Sequence, residues 1–154
     1  MLYELRSIIE PYVDGPIVNF RIERSLFDTE SGREDFNRTI RKNVDKKCGV
    51  YIWIDETTQE IVYIGMAGKI KTNGMLGNHT IQDRLIASRG KDKENKDIQT
   101  NDFVRDLMTI NNINTLTFYV MYSKTGEPPA YIEALLLYKF YKANNVLPRF
   151  NSSF

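Results

Sequence analysis

The stretch GVYIWIDETTQEIVYIG, residues 49–65, decides the predicted fold, because its apolar residues follow a period of two. Residues 49–55 and 60–65 each alternate in the manner of a β-strand. The polar residues 56–59 between them are typical of a turn. The unit is therefore predicted to be a β-hairpin.

Alternation also predicts which side chains of the hairpin share a face. Tyr51, Trp53 and Tyr63 are expected to lie on one face as cross-strand neighbours, together with Ile61. The opposite face is predicted to carry the remaining apolar side chains, which are Val50, Ile52, Ile54, Val62 and Ile64. Two tyrosines on one strand face are most often an aromatic pair on a half-buried sheet.

Outward from the hairpin, the chain predicts one further strand, at residues 115–122, and several helices. Helices are expected at residues 2–9, 33–44, 80–88, 101–111 and 128–143. Residues 89–100 are predicted to be a charged loop. The fold class is therefore α+β, with a small three-stranded antiparallel sheet flanked by helices. Residues 1–47 are interpreted as an N-terminal helical extension, and residues 48–154 as the main domain.

Composition limits the classes of protein that the chain can belong to. Its 154 residues suit one ordinary domain, and 42% hydrophobic residues allow a buried core. A single cysteine, Cys48, excludes a disulfide framework, so we expect a cytoplasmic protein. No apolar run approaches the length of a membrane helix, so no membrane partner is expected. The net charge of +1 argues against a histone-like basic coat, although residues 66–105 carry eight Lys or Arg against five Asp or Glu.

Several polar residues stand out when they are taken one by one. Glu133 lies inside the most apolar predicted helix, where a carboxylate is costly unless it is paired or bound to a metal. It could instead face solvent near Lys139 and Lys142. Arg84 carries the fork of donors that suits a phosphate oxygen, but a surface arginine is commonly just solvated. His79, the single histidine, lies at a boundary between a loop and a helix.

Five sequence elements, taken together, favour a functional site over the separate structural interpretations of these residues. They are GVY at residues 49–51, YIG at residues 63–65, Arg84, Glu133, and Asn151 in the ending PRFN. In this order, on a strand, a strand, a helix, a helix and a loop, they resemble the GIY-YIG nuclease family. The resemblance covers residues 48–151, so residues 48–154 are interpreted as a GIY-YIG-like nuclease domain.

The resemblance implies a three-stranded sheet and cleavage of phosphodiester bonds in DNA with one divalent metal, normally Mg²⁺, for which Mn²⁺ could substitute. Tyr51 would be the general base or its relay, and Tyr63 would position the water or the phosphate. Arg84 would stabilise charge on the phosphoryl oxygens, and Glu133 would bind the metal. The remaining assignments are Asn151 as a support of the site, Lys69 as a further catalytic contact, and Gly65, Lys71 and Arg89 as DNA-binding residues.

The sequence departs from the family pattern at two places, and the second departure favours one branch of the family. Ser88 stands where some members place a histidine one helical turn after the arginine. The gap from Gly65 to Arg84 is long, which resembles the restriction-endonuclease branch. We therefore expect a sequence-specific endonuclease acting on double-stranded DNA, with a homodimer if its site is palindromic. The alternatives are a structure-selective repair nuclease, a non-catalytic nucleic-acid-binding relative, and an unrelated α+β protein.

Overall fold

Helices and strands both build the chain, in an α+β arrangement. The computed structural model describes the backbone of residues 1–154 and every side chain except that of residue 88. The helices are α1 (Leu2–Ile9), α2 (Gly32–Asn43), α3 (Ile81–Ile86), α4 (Thr100–Ile110) and α5 (Pro129–Asn144). The strands are β1 (Val13–Glu23), β2 (Gly49–Asp55), β3 (Glu60–Ala67), β4 (Ser88–Lys91), β5 (Asp97–Gln99) and β6 (Thr115–Ser123).

The main sheet is antiparallel and has four strands in the order β1-β6-β2-β3. The three predicted strands are present as β2, β3 and β6, but the prediction of a three-stranded sheet is wrong. So is the prediction of a wholly helical N-terminal segment, because β1 lies in it and pairs with β6. The Asp14-Gly15-Pro16 turn signal concealed this strand. The register shift between Asp14 and Val18 accommodates it on an edge strand, where proline is tolerated.

A bulge in β3 changes the predicted faces of the hairpin. Trp53 pairs with Tyr63, whereas the next residue of β2, Ile54, pairs with Ile61. Val62 is therefore the extra residue, and it joins the core on the side of Trp53. Ile61 moves to the other core. The predicted positions of Val62 and Ile61 are wrong, because alternation breaks where a strand gains one residue.

Two hydrophobic cores cover the two faces of the sheet. One is formed with α2, α3 and α4 and centres on the aromatic side chains of β2 and β6. The other is formed with α1 and α5 against the aliphatic side chains of β2 and β3. Residues 1–47 contribute to both cores, through α2 on the first side and α1 on the second.

The segment after β3 agrees with the prediction at the start of α3 but differs from it after the helix ends. Thr80 and Asp83 form the expected capping box, which fixes where α3 begins. The helix ends at Ile86, so residue 88 lies on β4 and not on the helical stripe of Arg84. The side chain of Ser88, which stands where some members of the family place a histidine, lies outside the described part of the structure. The predicted charged loop contains a second small sheet, the β4–β5 hairpin, which its many charged residues concealed.

Within the described chain, α5 is the longest helix, and neither it nor any other helix has the length and apolar character needed to cross a membrane.

Candidate active site

The tyrosines of the β2–β3 hairpin lie together on one face, as predicted. The ring centroids of Tyr51 and Tyr63 are 6.0 Å apart in a stacked arrangement. Trp53 lies beside both, with its ring centroid 4.5 Å from that of Tyr63 and 6.0 Å from that of Tyr51. The three rings form a rigid aromatic wall at the edge of the first core.

Gly65 allows this wall to form. It pairs with Tyr51 across the hairpin, and the Tyr51 ring lies directly over it. A Cβ atom at residue 65 would lie 2.6 Å from Cζ of Tyr51 and 2.7 Å from Cε1 of Tyr63. Only glycine fits beneath the two phenol rings at this position, which explains why YIG ends in glycine here.

The Tyr51 hydroxyl is one of the polar groups of the site that lack a well-formed hydrogen bond. The side chain is fully buried, and its oxygen has no hydrogen-bond partner of good geometry among the groups that the structure describes, although Arg84 lies close enough to act on it as a donor. Burial raises the pKa of Tyr51 well above its usual value, and neighbouring Tyr63 adds to this, while Arg89 and Arg84 oppose it. The phenol is therefore neutral near pH 7 and is available to donate and accept hydrogen bonds.

Glu133 lies on the cavity side of α5. Its neighbours Ile132, Leu136 and Leu137 are buried in the second core, whereas Glu133 is half-buried. Burial raises the pKa of the Glu133 carboxyl, and Arg84 partly offsets that effect. Glu133 forms no ion pair with any described residue, although Arg84 is close enough to influence it. The alternative of a freely solvated carboxylate does not hold.

A cavity of about 520 Å³ brings most of the predicted residues together. Its polar and charged lining side chains are Tyr51, Tyr63, Lys69, Lys71, Asn78, His79, Arg84 and Glu133. They come from β2, β3, the loop of residues 68–79, α3 and α5. His79 and Asn78 are absent from the predicted set. The single histidine of the chain, next to the helix cap, was the available signal for the first of them, and nothing marked the second.

Asn151 lies outside the cavity lining and supports it from behind. Its Nδ2 donates to the Ile64 carbonyl at 2.8 Å, and its Oδ1 accepts from the Ile64 backbone N–H at 2.9 Å. The Phe150 N–H donates to the carbonyl of Val62, the bulge residue, at 2.8 Å. The C-terminal segment thus pairs with the free edge of β3 on either side of Tyr63.

Arg89 also lies outside the cavity lining. Its Nη2 donates a hydrogen bond of 2.8 Å to the Tyr63 hydroxyl. Its guanidinium carbon lies 4.3 Å from the ring centroid of Phe103 and 5.2 Å from that of Tyr63. Arg89 therefore contacts the back of the aromatic wall, in a place that sequence patterns did not indicate.

The residues of the cavity fit a hydrated divalent metal. Glu133 is the one carboxylate in its lining. The described residues hold no group of three or more His, Cys, Asp and Glu side chains suited to a metal. Mg²⁺ does not need such a group, since it keeps several waters and often takes one or two carboxylates. A half-buried, unpaired carboxylate is consistent with that mode of binding.

Comparison of the chain with protein-family models, with curated proteins and with solved structures finds no match.

Proposed function

We propose that the chain is a metal-dependent endonuclease of the GIY-YIG type that hydrolyses phosphodiester bonds in double-stranded DNA. The observation that supports this most strongly is convergence. Tyr51, Tyr63, Lys69, Arg84 and Glu133 are spread over more than eighty residues of sequence, and all five line one cavity. Their side chains provide the hydroxyls, cations and carboxylate that phosphodiester hydrolysis needs.

Each side chain has a role that follows from its surroundings. The Arg84 guanidinium and the Lys69 ammonium would bind the non-bridging oxygens of the scissile phosphate. Tyr51, whose pKa is raised by burial, is suited to relay the proton of the attacking water rather than to act as a preformed phenolate. The water oxygen bonds to phosphorus as the bond to the leaving oxygen breaks.

Glu133 would hold the metal, with Mg²⁺ as the expected ion and Mn²⁺ as a substitute. When bound, such an ion supplies a Lewis acid that neutralises charge on the phosphate and the leaving oxygen. The Glu133 carboxyl must be deprotonated to bind the metal. Because burial raises its pKa, metal binding is expected to be stronger at neutral than at acidic pH. Asn151 would keep β3, and with it Tyr63, in place.

Within this class we propose a restriction-like, sequence-specific enzyme in the cytoplasm. The loop of residues 68–79 supports this, because several of its residues line the cavity while Lys71 and Met75 are exposed on its surface. Lys71 lines the cavity mouth and is suited to bind phosphate. A homodimer would present two such cavities to a palindromic site.

The test is incubation of the purified chain with supercoiled plasmid and with a long linear DNA of diverse sequence. Each DNA is treated with Mg²⁺, with Mn²⁺ and with chelator. The proposal predicts discrete bands in either metal and no cutting in chelator. Nicked plasmid or smeared bands would contradict sequence specificity and would favour a repair-type nuclease. Cleavage of flap and junction substrates would then confirm that activity. Binding without cutting of any of these DNAs, in either metal, would overturn the enzymatic proposal.

A further inference from the structure

Arg89 is held in an unusual way for an arginine of a DNA-binding protein. The side chain is half-buried on β4, and its guanidinium lies against the rings of Phe103, Tyr63 and Trp53. Nη1 is buried and makes no hydrogen bond to any group that the structure describes. Arg105, by contrast, is exposed and forms ion pairs with Asp102 and Asp106.

The charge of Arg89 calls for a reason, because burying it is unfavourable. A buried guanidinium donor that is left without a partner is unfavourable, because it has lost its hydrogen bonds to water. An apolar side chain of similar length would fill the space behind the aromatic wall without that penalty. Retaining the cation here is physically reasonable if its charge or its hydrogen bonds serve the group that it contacts, which is the Tyr63 hydroxyl.

The hydrogen bond from Arg89 fixes what the Tyr63 hydroxyl can do. A phenol oxygen carries one proton to donate and lone pairs to accept. Because Nη2 of Arg89 occupies a lone pair at 2.8 Å and has no capacity to accept, the Tyr63 proton must be donated elsewhere. Tyr63 is one of the residues that line the cavity, so a group bound there could accept this proton.

We propose that Arg89 is a positioning residue that holds Tyr63 as a hydrogen-bond donor toward the cavity, and that it is not a DNA contact. This inference rests on the proposed function, because the cavity-bound acceptor is then the attacking water or a phosphate oxygen. The inference gives the two tyrosines different roles. Tyr63, held by Arg89, donates a hydrogen bond to the acceptor in the cavity. Tyr51, which has no well-formed hydrogen bond, relays the proton of the attacking water.

The kinetic test compares Arg89→Met and Arg89→Lys with Arg105→Met, a matched loss of an exposed arginine. We expect Arg89→Met to lower kcat by about 10- to 100-fold, as is typical when the partner that orients a functional ligand is removed. KM and the salt dependence of DNA binding should stay unchanged, and Arg89→Lys should recover part of kcat. Weaker binding with a shallower salt slope and unchanged kcat would identify a phosphate contact and overturn the proposal.

A double mutant tests whether Arg89 acts through Tyr63. If it does, Arg89→Met should cost little further kcat in a Tyr63→Phe background, because the hydroxyl is already gone. Additive losses in kcat would overturn the inference. Thermal unfolding of each variant shows whether a loss in rate reflects a loss of folded protein.

A second measurement does not depend on nuclease activity. With tyrosines labelled with ¹³C at Cζ, Tyr63→Phe identifies the resonance of Tyr63. Arg89→Met should shift that resonance at pH 7, and Arg105→Met should leave it in place. An unmoved Tyr63 resonance would overturn the positioning role even if the chain cuts DNA. A shifted resonance in a chain that cuts no DNA would refute the nuclease and retain the hydrogen bond, so the two failures are distinguishable.

Discussion

Two concave regions of the molecule differ in their polar groups, and the smaller one is the proposed active site. The larger groove, of about 1050 Å³, lies between the tip of the β1–β6 ribbon, residues 45–48 and the loop of residues 70–80, which borders the cavity as well. Its charged lining residues balance one another and are Asp14, Asp45, Lys46, Lys47, Lys124 and Glu127. The cavity of about 520 Å³ instead holds a buried hydroxyl without a partner and a carboxylate whose pKa is raised by burial.

The two regions differ in whether their polar groups have hydrogen-bond partners, and not only in volume. Tyr122 in the groove and Tyr51 in the cavity make the contrast direct. The Tyr122 hydroxyl accepts a hydrogen bond of 2.8 Å from the Asp45 N–H, so its polar group is already used by the fold. The Tyr51 hydroxyl is buried without such a bond. A fold retains such a group at a cost in stability when function needs it.

Removing the hydroxyl from each of these two tyrosines is expected to have a large effect and tests the contrast directly. Tyr51→Phe should lower kcat by about 10²–10⁴-fold, the range for a lost proton-transfer group. It should leave the free energy of unfolding unchanged or higher, because it removes an unpaired buried hydroxyl. Tyr122→Phe should destabilise by about 1 kcal/mol and spare kcat. Urea unfolding and single-turnover cleavage measure both quantities, and a loss of stability in Tyr51→Phe would contradict the contrast.

The glycine beneath the phenol rings gives the next effect. In Gly65→Ala the new Cβ would meet Cζ of Tyr51 at 2.6 Å, so the rings must shift, at a cost of about 1–3 kcal/mol. We expect cleavage per folded molecule to fall as well. Gly126→Ala, at the groove, meets no atom within 4 Å but is strained by its φ of +85°. Gly126→Ala should lower the free energy of unfolding and leave cleavage intact. An equal loss of cleavage in Gly126→Ala and Gly65→Ala would contradict the assignment of the cavity as the active site.

The support behind β3 should have a smaller effect. Asn151→Ala removes two hydrogen bonds to the Ile64 backbone and should destabilise by about 1–3 kcal/mol, with a partial loss of kcat. Asn43→Ala is a matched control, because it removes one bond to the carbonyl of Thr39 on α2. Chemical denaturation together with the cleavage rate checks both. An unchanged free energy of unfolding in Asn151→Ala would argue that the C-terminal segment does not brace the site.

The pH dependence of stability gives the smallest effect and has a defined sign. Because burial raises the pKa of Glu133 in the folded state, the folded chain favours the protonated form. Its stabilising contribution is full below the unfolded pKa and is lost as pH rises through the folded value. Glu133→Gln should therefore raise Tm at pH 7, and the gain should disappear under acidic conditions. A Tm difference that is independent of pH, measured without divalent metal, would contradict the raised pKa.

The sequence predicted the parts of this structure that local patterns control. Alternation located β2 and β3 and placed Tyr51 and Tyr63 on one face, and the Thr80–Asp83 pair located the start of α3. Glu133 was visible as an anomaly in an apolar helix. These signals lie within a few residues of one another, or within one element.

The parts that sequence patterns missed depend on long-range pairing. Pro16 and its neighbours mark a turn until β6 provides a strand for β1 to pair with. The bulge at Val62 exchanges the predicted faces of Val62 and Ile61, and no pattern in the neighbouring sequence indicates it. Arg89 on a charged stretch is typical of a solvated loop, and only the packing of Phe103 against the β2–β3 hairpin gives it a partner.

The most direct test of the central claim compares two glutamates, one from each concave region. The cleavage rate of DNA in Mg²⁺ is measured for Glu133→Gln in the cavity and for Glu127→Gln in the groove, with wild type alongside. We expect Glu133→Gln to abolish metal-dependent cleavage while the chain stays folded, and Glu127→Gln to cleave like wild type. Cleavage by Glu133→Gln at the wild-type rate, or its loss in Glu127→Gln alone, would contradict the assignment of the cavity as the active site.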